Sequence, residues 1–200
     1  AGLFCEGYAV IAGADEAGRG SLAGPLSVGL VIFDSSMFSA PLPEELLSVQ
    51  DSKKLTPARR SAALPRVERI ARVALCEHVA ADIVDRLNPN RATKYALDAL
   101  LDRSPVKPDF LLMDGTFKFD FSCGYRAVTK GDSLSVSIAA ASIVAKVTRD
   151  SLMDSLDPLY PDYCFPVHKG YGTALHLEKI RLHGPSPIHR RSYEPVKSMI

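Results

Sequence analysis

The segment AVIAGADEAGRGSLAGPLSVGLVIF, residues 9–33, decides the fold of this chain. It holds two apolar runs, residues 9–14 and residues 26–33, whose composition is typical of buried strands. The glycine-rich stretch between them is short, so we expect two neighbouring strands joined by a tight loop. Because predicted helices and strands alternate along the rest of the chain, the sequence predicts an α/β domain with a mixed sheet.

Beyond this segment the sequence predicts a succession of helices and strands. The segment 41–56 is rich in Pro, Ser and charged residues, so it is expected to be a surface connection. The predicted elements are helices over 57–73 (bent or broken near Pro65), from Asn88-Pro89 to 102, over 133–156 and near 173–183, strands over 74–80 and 110–113, and a hairpin over 117–128. The helix 133–156 is expected at the centre of the core, because its apolar residues recur at helical spacing: Val136, Ala140, Ile143 and Val147.

Length and charge limit the class of protein. The chain has 200 residues, of which 46% are hydrophobic, and this suffices for one main domain with a substantial core. The formal net charge is only +1, but the segment from His168 onward holds six basic residues against two Glu: Lys169, Lys179, Arg181, Arg190, Arg191 and Lys197. This basic tail is either the solvated face of a C-terminal helix or a surface that faces phosphate beside an acidic site.

The sequence also indicates where the protein works. It has no apolar run of the roughly 20 residues that a membrane-spanning helix needs, and its N-terminal residues lack the order of a secretory signal. The four cysteines are scattered, so we expect reduced thiols rather than a zinc site or a disulfide framework. We therefore expect a soluble, cytoplasmic and monomeric protein without a membrane partner.

Acidic residues stand beside glycine or at the ends of predicted strands. Asp15 and Glu16 follow the first predicted strand, Asp114 follows another, and Asp132 lies in a K-G-D-S motif. Carboxylates gathered at strand ends repel one another unless a cation lies between them, and hard oxygen ligands favour Mg²⁺ or Mn²⁺. Neighbouring residues of a regular strand point to opposite faces, so Asp15 and Glu16 reach one site only if the strand ends there. The alternatives are an ordinary surface pair at Asp15 and Glu16 and a helix-capping role for Asp132.

A glycine-rich loop, Gly18, Arg19 and Gly20, comes directly after the acidic pair. It lacks the G-x-G-x-x-G spacing of dinucleotide-binding proteins and the Lys-Ser/Thr ending of a P-loop. Backbone N–H groups at the glycines and the Arg19 guanidinium could bind a phosphate or a sugar hydroxyl, and a plain turn is the alternative. None of the histidines has metal-ligand spacing, so we expect them to be structural or to face the substrate.

Taken together, these motifs resemble those of bacterial ribonuclease HII, the type 2 ribonuclease H. The matching motifs run through nearly the whole chain: D-E-A-G-R-G at 15–20, D-S-K-K-L-T at 51–56, M-D-G at 113–115, K-G-D-S at 130–133, S-I-A-A-A-S-I-V-A-K-V-T-R-D at 137–150, H-K-G-Y at 168–171 and H-G-P-S-P-I-H-R-R-S at 183–192. Their shared order and spacing argue strongly against accidental similarity. Ser21 and Ala14 depart from residues common in the family, at positions that carry no chemistry.

The resemblance implies a ribonuclease H-like fold, a mixed sheet flanked by helices. It implies a catalytic core over residues 1–156 and a C-terminal helical extension over 157–200 that covers the substrate. The implied catalytic residues, which would bind Mn²⁺ or Mg²⁺, are Asp15, Glu16, Asp114 and Asp132. The implied substrate-binding residues are Gly18, Arg19 and Gly20 at the ribose 2′-hydroxyl, Lys53 near phosphate and Tyr171 at the next sugar. Asp150 lies on the long helix and is not expected to be a ligand.

The activity implied by the resemblance is hydrolysis of the RNA strand of RNA/DNA hybrids and incision on the 5′ side of ribonucleotides embedded in duplex DNA. Two-metal-ion hydrolysis would leave 3′-hydroxyl and 5′-phosphate ends. A replication clamp is a further partner to expect. The alternatives are another nuclease of the same fold, such as a type 1 ribonuclease H or a resolvase, a non-catalytic nucleic-acid-binding module, and a metal-dependent phosphatase. The D-E-A-G-R-G and H-K-G-Y motifs, the complete set of four acids and the basic tail argue against these in turn.

Overall fold

A five-stranded mixed sheet forms the centre of the computed structural model, which describes residues 2–38, 49 and 55–200. Its strands are β1 (Ile11–Ala17), β2 (Leu26–Ile32), β3 (Val73–Val79), β4 (Phe110–Asp114) and β5 (Gly124–Val128). They lie in the order β3-β2-β1-β4-β5. β1 and β3 each pair antiparallel with β2, whereas β4 pairs parallel with both β1 and β5. The expected α/β fold with a mixed sheet is confirmed.

Helices flank this sheet and continue beyond it towards the C-terminus. They are α1 (Gly2–Cys5), α2 (Pro57–Ile70), α3 (Ala81–Arg103), α4 (Gly131–Leu134), α5 (Val136–Ser155), α6 (Phe165–His168) and α7 (Ala174–His183). Short 3-10 turns cover Ser35–Phe38, Asp157–Leu159, Pro161–Tyr163 and Lys197–Met199. Within the described ranges, no helix combines the length and the apolar character needed to cross a membrane. The predicted surface connection 41–56 lies almost entirely outside the described residues.

The two faces of the sheet are covered by different helices. α3 packs on one face, where its apolar residues join the core of β1, β2 and β4, and α5 and α2 pack on the other. A Cβ at Gly13 of β1 would lie 2.2 Å from the Ser137 carbonyl carbon, and a Cβ at Gly29 of β2 would lie 2.3 Å from the Ala141 carbonyl oxygen. α5 therefore approaches the sheet this closely only because these two strand positions are glycine.

The helix predicted to begin at Asn88 begins earlier, at Ala81. Asn88 interrupts the helix with φ 66° and ψ 162°, and its Oδ1 accepts hydrogen bonds from the N–H groups of Asn90 (3.0 Å) and Arg91 (3.2 Å). The Asn-Pro signal therefore marks the start of the second half of α3. The first half carries no comparable signal, because Ala80 at its start makes no side-chain capping bond.

The long central helix begins at Val136 rather than at residue 133. Ser135 caps it, with its side chain accepting from the N–H of Ile138, and the preceding residues form the separate turn α4. Asp132 lies in the first turn of α4. The alternative that Asp132 caps the long helix is therefore wrong.

The hairpin predicted over residues 117–128 is also wrong. Only its second half is a strand, and this strand, β5, pairs in parallel with β4. The rings of Phe117, Phe119 and Phe121 pack against each other, with neighbouring centroids 5.0 and 6.1 Å apart. Packing of these rings on one another, rather than strand pairing, thus accounts for the first half of the segment.

The C-terminal segment, residues 157–200, returns to the loop between β1 and β2. An isolated β-bridge joins Ala23 and His189. The N–H of Leu22 donates to the carbonyl oxygen of Gly170 (2.8 Å), and the N–H of Arg190 donates to that of Leu22 (2.8 Å). The C-terminal segment therefore stands beside the glycine-rich loop that follows the acidic pair.

Candidate active site

A cleft of about 360 Å³ opens where β1 and β4 end, next to α5. Its wall combines carboxylates, the glycine-rich loop, cationic side chains and one tyrosine. The lining residues are Asp15, Glu16, Ala17, Gly18, Arg19, Gly20, Arg60, Asp114, Ser142, Lys146 and Tyr171. Every predicted site residue except Asp132 and Lys53 therefore meets in this cleft, and Lys53 falls outside the described residues.

Asp15 and Glu16 share the cleft for a reason that differs from the expected one. Strand β1 does not end at the pair but continues to Ala17, and it is paired with β2 from Ala12 to Ala17. Its other neighbour, β4, pairs only as far as Met113 opposite Ala14 and ends at Asp114. One edge of β1 is therefore no longer paired at the two acids, and Asp114 stands next to them.

Glu16 has the most unusual environment of these carboxylates. Burial, together with the nearby charges of Asp15 and Asp114, raises the pKa of Glu16 from its ordinary value of 4.5 to about 7, although Arg19 acts in the opposite direction. Its Oε2 atom has no hydrogen-bond partner among the described residues. A cation beside these acids would offset their repulsion and would give this oxygen a partner.

Asp114 is oriented by the turn that follows β5. The N–H of Gly131 donates to its Oδ1 at 2.7 Å. Asp132 is the next residue of that turn and is buried, but it does not line the cleft. Within residues 2–38, 49 and 55–200, no group of three or more His, Cys, Asp or Glu side chains is arranged to hold a metal ion.

The glycine-rich loop and Tyr171 are joined directly. The N–H of Gly18 donates to the Tyr171 hydroxyl at 3.2 Å. Gly18 has φ +80°, a conformation that glycine adopts without strain. A Cβ at Gly20 would meet nothing within 4 Å, so a ligand can approach the backbone there. The loop and the tyrosine therefore form one continuous surface next to the acids.

Arg149 of α5 supports this loop from the interior, and it was not among the predicted site residues. Its side chain is fully buried. The guanidinium donates four bonds, between 2.8 and 3.2 Å, to the carbonyl oxygens of Ala23, Pro25 and Lys169 and to Ser21 Oγ. A Cβ at Gly18 would lie 1.9 Å from Arg149 Nε, so glycine is needed at residue 18 for the arginine to occupy this place. Nothing in the sequence indicates that the charged side chain of Arg149 is buried.

Arg19 directs its side chain towards α3. Its guanidinium donates to Asn90 Oδ1 and lies 5.1 Å from the centroid of the Phe117 ring. Its carbonyl oxygen accepts from Arg190 and from the hydroxyl of Tyr193, both at 2.9 Å. Arg19 is therefore fixed at both its backbone and its side chain.

Two cleft residues, Lys146 and Arg60, supply positive charge and were missed by the sequence analysis. Lys146 Nζ lies 5.0 Å from the centroid of the Tyr171 ring and forms a 2.9 Å ion pair with Asp150, which does not itself line the cleft. Ser142 and Lys146 are four residues apart and so share one face of α5. Nothing in the sequence indicates that this face, or Arg60, lies beside the acids.

The expectation that the basic tail faces phosphate is wrong for Arg190. Its side chain is 0% exposed, and its guanidinium donates to the carbonyl oxygens of Gly24 and Arg19. Lys169 also has a local partner, Asp154. Part of the excess positive charge near the C-terminus therefore supports the β1–β2 loop instead of forming an open basic surface.

A family profile and individual relatives assign this chain to the same protein family. A sequence profile for the family described as Ribonuclease HII matches residues 12–196. A protein named Ribonuclease HII from Geobacter sulfurreducens is 45% identical over 195 residues, which are 96% of this chain and 85% of the relative.

Solved structures agree on the fold. Ribonuclease H2 from Pyrococcus horikoshii superposes with a TM-score of 0.79 at 26% identity, covering 95% of this chain and 96% of the other. A structure described as the PCNA:RNase HII complex from Archaeoglobus fulgidus gives a TM-score of 0.75 at 24% identity, covering 94% and 96%.

Proposed function

The chain belongs to the ribonuclease HII family, and from this premise we propose that the cleft lined by Asp15, Glu16 and Asp114 is its active site. The protein is a metal-dependent endoribonuclease that cleaves RNA in RNA/DNA hybrids and at ribonucleotides embedded in DNA. The observation that carries the placement is the convergence of three carboxylates from two strands, beside the glycine-rich loop and Tyr171.

Asp15, Glu16 and Asp114 are the proposed ligands of the divalent ion, with Asp132 contributing from the turn beside Asp114. The donor set supports this, because carboxylate oxygens are the hard ligands that Mg²⁺ and Mn²⁺ prefer. The unpartnered Oε2 of Glu16 and the raised pKa of its carboxyl mark a place where positive charge is favourable. A two-ion centre would activate water and stabilise the leaving oxygen in phosphodiester hydrolysis.

Recognition of ribose is assigned to the glycine-rich loop and Tyr171 acting together. The 2′-hydroxyl is the group that lets a protein distinguish RNA from DNA. That Gly18, Arg19 and Gly20 line the cleft together with the acids supports a contact between their backbone and this group. The ring of Tyr171 packs on the following sugar. We expect the cut on the 5′ side of the ribonucleotide, leaving a 3′-hydroxyl and a 5′-phosphate.

Positive side chains on two helices hold the strand in the cleft. Lys146 and Arg60 line it together with the carboxylates, so they can attract the phosphates that neighbour the cut. Lys53 is the third residue proposed at phosphate, from the resemblance alone. These cations would offset the repulsion between the acidic wall and the phosphodiester backbone.

We further propose that the protein works in the cytoplasm as a monomer. A replication-clamp partner stays a prediction from the resemblance, because the complex with PCNA concerns the Archaeoglobus protein.

Duplexes that carry no, one or several ribonucleotides test the proposal, in the presence of Mg²⁺ or Mn²⁺. Asp15→Asn and Asp114→Asn should each lower the cleavage rate at least about 1000-fold without unfolding the protein, because each removes a charge from the cleft and no atom from the core. Asp102→Asn, at an exposed position of α3, is the matched control and should cut normally. Near-normal turnover of either cleft variant at saturating Mg²⁺ would remove that residue from the site, and cleavage of the all-DNA duplex would contradict 2′-hydroxyl recognition.

A further inference from the structure

Three histidines form a buried cluster next to Tyr171. His168, His176 and His189 are each at most 5% exposed. The rings of His168 and His176 stack with centroids 4.2 Å apart, and those of His176 and His189 lie 5.2 Å apart. No substrate can reach these rings directly, so any role in the reaction must act through a neighbour.

The hydrogen bonds of two of these histidines run in one direction. The N–H of Ser186 donates to His189 Nδ1 (2.9 Å), so the proton of a neutral His189 ring lies on Nε2. That Nε2–H donates to His176 Nε2 (3.1 Å), which puts the proton of His176 on Nδ1. The Nδ1–H of His176 donates to the carbonyl oxygen of Tyr171 (3.0 Å). A single pair of tautomers thus satisfies all four ring nitrogens.

The neutral state that this network needs is favoured by its surroundings. Burial, followed by the neighbouring histidines, lowers the pKa of His176 to about 4, and burial also lowers that of His189 to about 4. A proton added to either ring would place a donor against a donor. Each ring therefore keeps one proton, at a defined nitrogen, at neutral pH.

Tyr171 is held at both its backbone and its ring. Its carbonyl oxygen accepts from the N–H of Thr173 (2.8 Å) as well as from His176. Its hydroxyl accepts from the N–H of Gly18, and Lys146 Nζ lies over its ring. The histidine pair links this carbonyl group to Ser186, which lies further along the C-terminal segment.

We propose that His176 and His189 are positioning residues for cleavage, which connect Ser186 to the backbone of Tyr171 within the C-terminal segment and thereby set the place of the Tyr171 ring on the sugar. The proposal rests on the substrate role assigned to Tyr171 above. A misplaced ring still permits duplex binding through phosphate contacts but misplaces the scissile phosphate. Loss of the histidine contacts therefore lowers the cleavage rate much more than the affinity for duplex.

Two pairs of variants separate this role from simple packing. His176→Asn keeps an N–H donor near the place of Nδ1, whereas His176→Leu has none. His189→Gln keeps a donor near the place of Nε2, whereas His189→Asn does not reach it. The control is His183→Leu, which changes an exposed histidine of the same helix as His176.

Single-turnover cleavage of a duplex with one ribonucleotide is the measurement, with the Kd for duplex and the Tm recorded for each variant. His176→Leu and His189→Asn should cut about tenfold more slowly than wild type, the effect of one lost hydrogen bond, with Kd changed by less than about twofold. The donor-retaining partners and His183→Leu should stay within about twofold of wild type. Equal cleavage rates within each pair of variants would overturn the proposal. If His176→Leu does not fold, the comparison of His189→Gln with His189→Asn decides, because both of these side chains are polar.

A double-mutant cycle with Tyr171→Ala shows whether the histidines act through the ring. Once the ring is gone, adding His176→Leu should change the rate by less than about twofold. A further tenfold loss in that background would mean that His176 acts independently of the ring, and would overturn the proposal while leaving the role of Tyr171 intact. A wild-type rate for Tyr171→Ala alone would instead end the sugar-packing role of Tyr171 and this inference with it.

Discussion

Neutralising Glu16 tests the electrostatic description of the cleft without measuring catalysis. Burial beside Asp15 and Asp114 raises the pKa of Glu16 from 4.5 to about 7. A carboxyl whose pKa is higher in the folded protein binds more protons there than in the unfolded chain at any pH between the two values. The free energy of unfolding therefore falls as the pH rises from about 4.5 to about 7. A shift of this size corresponds to about 3 kcal/mol, fully lost above pH 7.

Urea denaturation in the presence of a chelator, repeated from about pH 4.5 to about pH 8, measures this loss. Glu16→Gln should match wild type at the acidic end and exceed it by about 3 kcal/mol at the basic end, because glutamine has no charge to bury or to repel its neighbours. Glu178→Gln removes the same charge at an exposed position of α7, so its curve should follow wild type. At about pH 8, Mn²⁺ should stabilise wild type more than Glu16→Gln, since the ion binds the folded carboxylates.

Parallel curves for wild type and Glu16→Gln over this pH range would refute the reasoning. They would mean that the carboxyl of Glu16 titrates alike in the folded and unfolded protein, and that the three acids do not repel one another in the cleft. Equal stabilisation of both proteins by Mn²⁺ would remove Glu16 from the proposed ligands.

Two further predictions concern the support of the cleft and its charge. Gly18→Ala should lower the Tm and reduce the cleavage rate at least about 100-fold, because the added Cβ would meet Arg149 and the φ of residue 18 is positive, whereas Gly20→Ala should keep the wild-type Tm. Thermal unfolding and cleavage assays on both variants check this, and a wild-type Tm for Gly18→Ala would contradict it. Lys146→Gln should lower the slope of log affinity for duplex against log salt concentration by about one, whereas Arg190→Gln should leave this slope unchanged and lower the free energy of unfolding by roughly 3 kcal/mol. Salt titrations of duplex binding would contradict this if Arg190→Gln flattened the slope.

Local signals were enough for much of the fold. The two apolar runs of residues 9–33 became β1 and β2, and Thr173 caps α7 at its predicted start by accepting from the N–H of His176. Such signals depend on neighbours within a few residues, so the sequence displays them directly. The parallel pairing of β5 with β4 depends on a partner strand and on the segment between the two strands. In that segment the alternation of Phe117, Phe119 and Phe121 is the pattern of a strand, although these rings pack on one another.

The candidate site was predictable where its chemistry stays within one motif. Asp15, Glu16 and the glycine-rich loop are adjacent in the sequence, and Asp114 directly follows a predicted strand. The resemblance added Tyr171. Lys146 and Arg60 reach the cleft from separate helices, so only the folded chain brings them there. Buried arginines were hidden for a different reason, because a sequence records the charge of Arg149 or Arg190 but not that backbone carbonyl groups satisfy it in the interior.

Different parts of the fold position the acids and the glycine-rich loop of the cleft, and the buried arginines hold the loop. The acids are fixed by the sheet, since Asp15 and Glu16 belong to β1 and Asp114 ends β4. The glycine-rich loop is instead fixed by Arg149 and Arg190, which donate to backbone oxygens between residues 19 and 25. Arg190 belongs to the C-terminal segment, as does the histidine pair that holds Tyr171. The sheet therefore accounts for the placement of the proposed metal ligands, whereas the proposed selection of a ribonucleotide would depend on how the C-terminal segment packs against the loop.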